Sequence, residues 1–106
     1  MISRVWRGWT TKQNAAAYES LLLGTILPGI AAKQIPGYQG VHAMRKDGEA
    51  EVEFVTVMWF DSVESVKAFV GNDYEVAYVP EAARDMLERF DGRSSHYDVF
   101  HVPDLP

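Results

Sequence analysis

The run FVTVMWF, residues 54–60, is apolar on both of its faces, and it constrains this chain more than any other stretch. Successive residues of a strand alternate between faces. Phe54, Thr56, Met58 and Phe60 fall on one side, and Val55, Val57 and Trp59 on the other. A small antiparallel sheet with helices on one side only carries polar residues on its second side. Neither set here suits water. The second face therefore calls for another layer of the same chain, a second copy of it, or a ligand.

The neighbouring segments show which of these the chain itself can supply. Residues 2–10, ISRVWRGWT, read as a strand of β-branched and aromatic residues, ending at Thr10 and Thr11, either of which can cap a helix. From about Lys12 the period becomes helical, with Tyr18, Leu22 and Ile26 four apart and Leu23, Leu27 and Ile30 beside them. Pro28 presses on the carbonyl four residues back, at Gly24, which predicts a kink or restart before the helix ends ahead of Pro36-Gly37. A second strand, 38–46, leads into Asp47-Gly48, a dipeptide that suits a type I′ hairpin turn into the third strand, about 50–60. Asp61-Ser62-Val63-Glu64 then reads as a capping box, with Glu64 reaching back, before the face Val63, Val66, Phe69 and Val70. A further helix starts at Pro80. Its stripe is Ala83, Met86, Leu87 and Phe90, and Gly92 is its C-terminal cap. A fourth strand spans 94–102, and PDLP closes the chain.

The predicted order is β-α-β-β-α-β, a ferredoxin-like α+β fold: a four-stranded antiparallel sheet with helices on one face. Such a chain leaves one sheet face bare, so the expectation is a homodimer through the sheet faces, enclosing a pocket. With 106 residues the chain is one domain, 1–106. A net charge of -5 argues against nucleic acid or an anionic membrane as partner. The lack of cysteine excludes disulfides, thiolate nucleophiles and thiolate metal sites. The first residues do not read as a signal peptide, and no apolar run approaches the roughly 18 residues of a membrane span. The expectation is a soluble, cytoplasmic protein.

Four stretches, RVWRGWT, IPGYQGVHAMRK, MWFDSVESVKAF and HYDVF, run in order along the chain. Together they resemble the antibiotic biosynthesis monooxygenase-like group of the dimeric α+β barrel superfamily. The resemblance implies a homodimer whose two sheets form a barrel, and in some members oxygenation of polyketide quinone precursors without metal or flavin. A branch that binds and degrades haem carries a ligating His in the helical stretch after its W-x-S-x-x-x-F region. Here that stretch is NDYEVAYVP, without His. That branch also carries a Trp where Phe69 falls, and a first-strand Asn that ISRVWRGWT lacks. No cofactor is expected.

An oxygenase that uses no cofactor takes its electrons from the substrate, for which an anthrone or hydroquinone suffices once deprotonated. The protein adds a base, donors for the oxyanion and a dry pocket. The candidate catalytic residues are His96 or His42 as base, with Arg4 and Trp59 stabilising the anion. Trp6 shares a strand face with Arg4, and Met44, Asp98 and Phe69 complete the candidate ligand-binding set. Trp9 and Arg7 take the opposite face as structural residues. Tyr97 is expected beneath the helices. His96 and Asp98 share a strand face that His42 can join, so a two-His, one-carboxylate metal site is conceivable. Groove-lining polar groups explain the same residues without metal, and no metal is expected. The competing functions are a non-catalytic binder of a small aromatic molecule and a purely structural dimer. Convergence of Arg4, His42, Trp59 and His96 on one cavity would favour the enzyme.

Overall fold

A computed structural model describes residues 1–103; the last three residues of the closing PDLP lie outside the described part. The elements are β1 (Ile2–Thr11), α1 (Ala15–Leu21), a π-helical turn (Leu22–Ile26), α2 (Leu27–Ala32), β2 (Tyr38–Asp47), β3 (Glu51–Phe60), α3 (Val63–Val70), α4 (Glu81–Met86), β4 (Leu87–Phe90) and β5 (Ser95–Asp98). The sheet is antiparallel throughout, in the order β2-β3-β1, with β4 and β5 on the far side of β1. That is the ferredoxin-like order expected, with one change. The fourth position is shared by two short strands laid end to end: β4 pairs with Gly8–Thr10 and β5 with Ile2–Val5.

This split corrects the helix expected to run on to Phe90 with a cap at Gly92. The helix stops at Met86, and Leu87–Phe90 is strand. Helical spacing of Ala83, Met86, Leu87 and Phe90 is satisfied equally by a short helix followed by a strand with a buried Leu87. The backbone of β1 at Gly8–Thr10 needs partners on that edge, and residues 87–90 supply them. The fourth strand is correspondingly shorter than expected, Ser95–Asp98 instead of 94–102.

The long helical stretch breaks where Pro28 requires. A proline ring clashes with the carbonyl four residues back, and the turn before it widens into the π form over Leu22–Ile26. As a run of secondary structure, Ala15–Ala32 has 18 residues and a mean hydropathy of 1.4, the length and composition of a minimal membrane span. That corrects the expectation that no such run exists. Here its inner side, Ala15, Tyr18, Leu22 and Ile30, packs on the sheet.

The hairpin between β2 and β3 forms as expected but not through a type I′ turn. Residues 48–50 make the connection, Gly48 N–H donates to the Glu51 carbonyl at 2.8 Å, and Gly48 has no positive φ. Its glycine serves close approach, since a Cβ there would meet the Glu51 carbonyl oxygen at 2.9 Å. The cap of α3 is Ser62, whose hydroxyl accepts from Ser65 N–H at 3.4 Å. Glu64 does not reach back; it pairs with Lys67 one turn on, at 3.5 Å.

Register decides the faces. Phe54, Thr56, Met58 and Phe60 of β3 and Ile2, Arg4, Trp6 and Thr10 of β1 lie under the helices and are buried. The core falls into two clusters, one around Trp6, Tyr18, Val52 and Phe54, the other around Ile2, Ile30, Met58 and Phe60, with Ile26 and Leu27 touching both. Val5, Val55, Val57 and Trp59 occupy the other face and are half-buried; among the described residues no helix covers that face, and the segment after β5 approaches it only at the Trp59 end.

Candidate functional site

The structure divides the expected constellation between the two faces of the sheet. Arg4 and His96, partners across β1 and β5, lie under the helix layer. His42 and Trp59 lie on the opposite face, where β2 meets β3. One sheet therefore separates the two histidines, and the set of His42, His96 and Asp98 considered for a metal does not assemble. No group of three metal-ligating side chains gathers among the described residues.

Under the helices, where the two core clusters meet, is a partly open cavity of about 40 Å³. Its floor is Trp6, Thr56 and Met58 from the sheet, and its walls are Tyr18, Leu22, Ile26, Leu27 and Ile30. Phe69 of α3 and the segment Tyr78-Val79-Pro80 close it, with Ala83 of α4 alongside. The widened turn before Pro28 supplies Leu22 and Ile26, so the helix irregularity shapes the cavity. Its hydrogen-bonding side chains are few. Trp6 is one, but its indole N–H is already engaged, donating to the Asp91 carbonyl at 2.9 Å. The others are the Thr56 hydroxyl and the phenols of Tyr18 and Tyr78. Burial pushes the Tyr18 phenol up to about 12, so it stays protonated and can donate.

Arg4 sits beside this cavity without lining it. It is 2% exposed and meets no carboxylate among the described residues. Its Nη1 donates to the Tyr74 carbonyl at 2.5 Å and lies 3.1 Å from His96 Nε2, while Nη2 donates to the Val76 carbonyl at 2.7 Å. The guanidinium lies 5.7 Å from the centre of the Phe69 ring, which does line the cavity. Desolvation lowers its pKa to about 10, still far above neutrality, so a buried positive charge stands next to the pocket. Guanidinium can only donate, so His96 Nε2 must be the acceptor and the proton of the neutral ring sits on Nδ1. That Nδ1 is buried without a hydrogen-bond partner. Desolvation first, and then the charge of Arg4, hold His96 below the usual histidine value.

On the outer face, Trp59 Nε1–H donates to His42 Nδ1 at 2.9 Å, so the indole donor is already engaged. These two, with Met1, Gln39, Val99, His101, Val102 and Pro103, line an open groove of about 470 Å³. Met44 is exposed farther along the same face, opposite Val55. Asp98 shares the side of His96 but is exposed at the end of β5. Tyr97 lies on the outer face and is exposed, which corrects its expected place beneath the helices. Trp9 and Arg7 face outward as expected; Arg89 stacks on the Trp9 ring at 3.9 Å and Arg7 pairs with Asp91 at 3.4 Å.

Sequence reasoning missed Tyr18, Thr56 and Tyr78 as cavity residues, and missed the Tyr74–Val76 carbonyls that Arg4 holds. Thr56 was the one readable signal, a hydroxyl within an otherwise apolar set on β3. Tyr78 lies in an irregular segment, where no periodicity assigns a side chain to a face.

The arrangement is an α+β sheet with one helix-covered face and an apolar pocket between the two layers. Comparison with solved structures finds the same architecture. The chain is similar to the crystal structure of a putative antibiotic biosynthesis monooxygenase from Bacillus cereus, with a TM-score of 0.65 and 15% sequence identity over 98% of this chain and 97% of that one. At that identity the likeness is one of fold. No protein-family model matches the chain, and no curated protein matches it.

Proposed function

We propose that this chain binds a small electron-rich aromatic molecule in the pocket between sheet and helices and oxygenates it without a cofactor. The observation that carries this reading is the pocket itself: an aromatic-walled cavity between sheet and helices, with few hydrogen-bonding groups and the buried charge of Arg4 beside it, paired with no carboxylate among the described residues. A substrate such as an anthrone or hydroquinone that loses a proton gives an anion that this charge stabilises, in a largely apolar space. For an anthrone the balance is simple. The methylene loses both hydrogens, one atom of O₂ becomes the new carbonyl oxygen and the other leaves as water, so the substrate supplies all the electrons. The cavity of about 40 Å³ is small beside the roughly 150 Å³ that admits benzene. Binding therefore requires Phe69 or the Tyr78–Pro80 segment to move outward.

A non-catalytic binder is the second reading, and one observation favours it. Neither histidine lines the cavity, and the phenols there are poor bases. The substrate would have to arrive already ionised, or His96 would have to act from beside the pocket. Oxygen uptake in the presence of an anthrone, with no added metal or flavin, separates the two. Quenching of Trp6 fluorescence on titration, read in a Trp9→Phe, Trp59→Phe background so that Trp6 is the one emitting indole, reports binding. Quenching together with uptake and stoichiometric ketone supports the oxygenase, and quenching without uptake supports the binder. No quenching with any ring of this class defeats both.

The outer sheet face is a separate matter from the pocket. We place a second copy of the chain there, because Val5, Val55, Val57 and Trp59 form a continuous apolar strip over β1 and β3.

A further inference from the structure

We propose that His96 and Arg4 form a pH-controlled latch on the segment that roofs the cavity: neutral His96 lets Arg4 hold Tyr74 and Val76, and protonated His96 loosens that hold. The inference rests on the geometry of the roof and does not depend on which ligand the cavity takes.

The chain has three links. Arg4 is fixed in β1 and buried, and two of its hydrogen bonds go to backbone carbonyls of a segment that has no regular secondary structure from Gly71 to Pro80 beyond a single bridge at Val76. The same segment, two residues on, places Tyr78, Val79 and Pro80 over the cavity. The third bond of Arg4 runs to His96, and it exists only while Nε2 has a free lone pair. Protonation replaces that acceptor with a donor and sets two cations 3.1 Å apart in a buried place. Arg4 cannot lose its proton near neutrality, so the guanidinium or the imidazolium must move, and either motion disturbs the anchor of Tyr74 and Val76.

The charges around His96 allow this. From the roof segment, the Tyr74 ring stands edge-on with centroids 5.1 Å apart, and Lys67 of α3 lies 5.9 Å over that same Tyr74 ring. Glu75 favours the protonated imidazole, but Arg93 takes its carboxylate at 3.1 Å and Asp73 at 2.7 Å. Asp98, on the same strand as His96, is exposed to water. Arg4 is thus the charge in direct contact. The roof has other ties, Ala77 N–H to the Gly92 carbonyl at 3.0 Å, Ser94 N–H to the Glu75 carbonyl at 2.7 Å and Arg84 to the Val79 carbonyl at 2.8 Å, and those nearest the Arg4 anchor open more often once it is disturbed. Acid therefore loosens the roof locally and leaves the sheet intact.

Native-state hydrogen exchange of the whole chain tests this, read at the Val76 and Ala77 amides and corrected for intrinsic rates, with the amides of β3 as internal reference. Between pH 8 and pH 5 the opening of Val76 and Ala77 should rise roughly tenfold or more in the wild type while β3 stays closed. In His96→Gln, whose side-chain oxygen accepts from Arg4 at any pH, the rise should vanish. A wild type without the rise, an equal rise in His96→Gln, or opening of β3 in step with the roof would each overturn the latch. Should His96→Gln fail to fold, the His96 ring and Ala77 amide resonances of the wild type decide: a shared titration midpoint supports the latch and unrelated midpoints refute it.

Discussion

Arg4 is the residue on which the most structure depends. Burying a charge is costly, and the cost is offset here by two carbonyls and one imidazole that themselves need donors. Arg4→Met removes the desolvation cost but strands both carbonyls, so the net loss should be about 1–3 kcal/mol. At about 4–8 °C per kcal/mol for a domain of this size, thermal melting resolves it. The same substitution should raise the pKa of His96, because the positive charge of Arg4 is one cause holding it down. Titration of the imidazole C–H resonances in wild type and variant reads that shift, and a downward or absent shift would show that Arg4 does not act on the ring.

Among the elements, α3 is positioned by two small features beside it. The hydroxyl of Ser62 caps its first turn, and Gly37, at φ +81°, lets the loop before β2 pass against Ser65. A Cβ on Gly37 would fall 2.1 Å from the Ser65 hydroxyl oxygen, in a backbone region that side chains rarely adopt. Ser62→Ala should therefore cost about 0.5–1 kcal/mol, since its cap bond is long, and Gly37→Ala should cost more, about 1–3 kcal/mol. Chemical denaturation ranks the two, and the reverse order would mean that the loop yields more easily than the cap. α3 carries Phe69 to the cavity, so a displaced α3 should also alter ligand binding. The π turn over Leu22–Ile26 has a comparable role on the other wall, where it admits Pro28 and sets Leu22 and Ile26 over the pocket.

For the molecule as a whole, two expectations follow. Val57 lies mid-strip on the outer face and is half-buried, so if a second copy covers this strip, sedimentation at micromolar concentration should report two chains, and Val57→Asp should yield one. A wild-type monomer would leave the strip to some other partner. The pH dependence of stability has a definite sign. The folded pKa of His96 lies below its unfolded value, so between the two the unfolded chain binds more protons. This contribution is complete above the ordinary histidine value of about 6.5 and is lost as pH falls through the folded value. Denaturation at a series of pH values should show it, and His96→Gln should flatten that part of the curve.

The first three strands of the sheet were legible in the sequence alone. Alternating burial in β1 and β3, the Asp47-Gly48 hairpin and the break at Pro28 are local in cause: strand parity, close approach at a turn, and a missing N–H. The fold class was legible in the same stretches, because the order of elements leaves few ways to cover a four-position antiparallel sheet. What lay beyond reach was decided across the sheet. Residues 87–90 carry a helical stripe, yet the unpaired edge of β1 draws them into a strand, and no local pattern announces a neighbour's unpaired edge. Arg4, His42, Trp59 and His96 were each readable as polar or aromatic residues on strands, but the pairing register sends one pair beneath the helices and the other to the open face. A one-residue change of parity moves a side chain through the thickness of a sheet. Whether two such residues meet is therefore settled by strand pairing in three dimensions, and the contacts of Arg4 with the Tyr74–Val76 backbone, some seventy residues away, exist only once the chain has closed on itself.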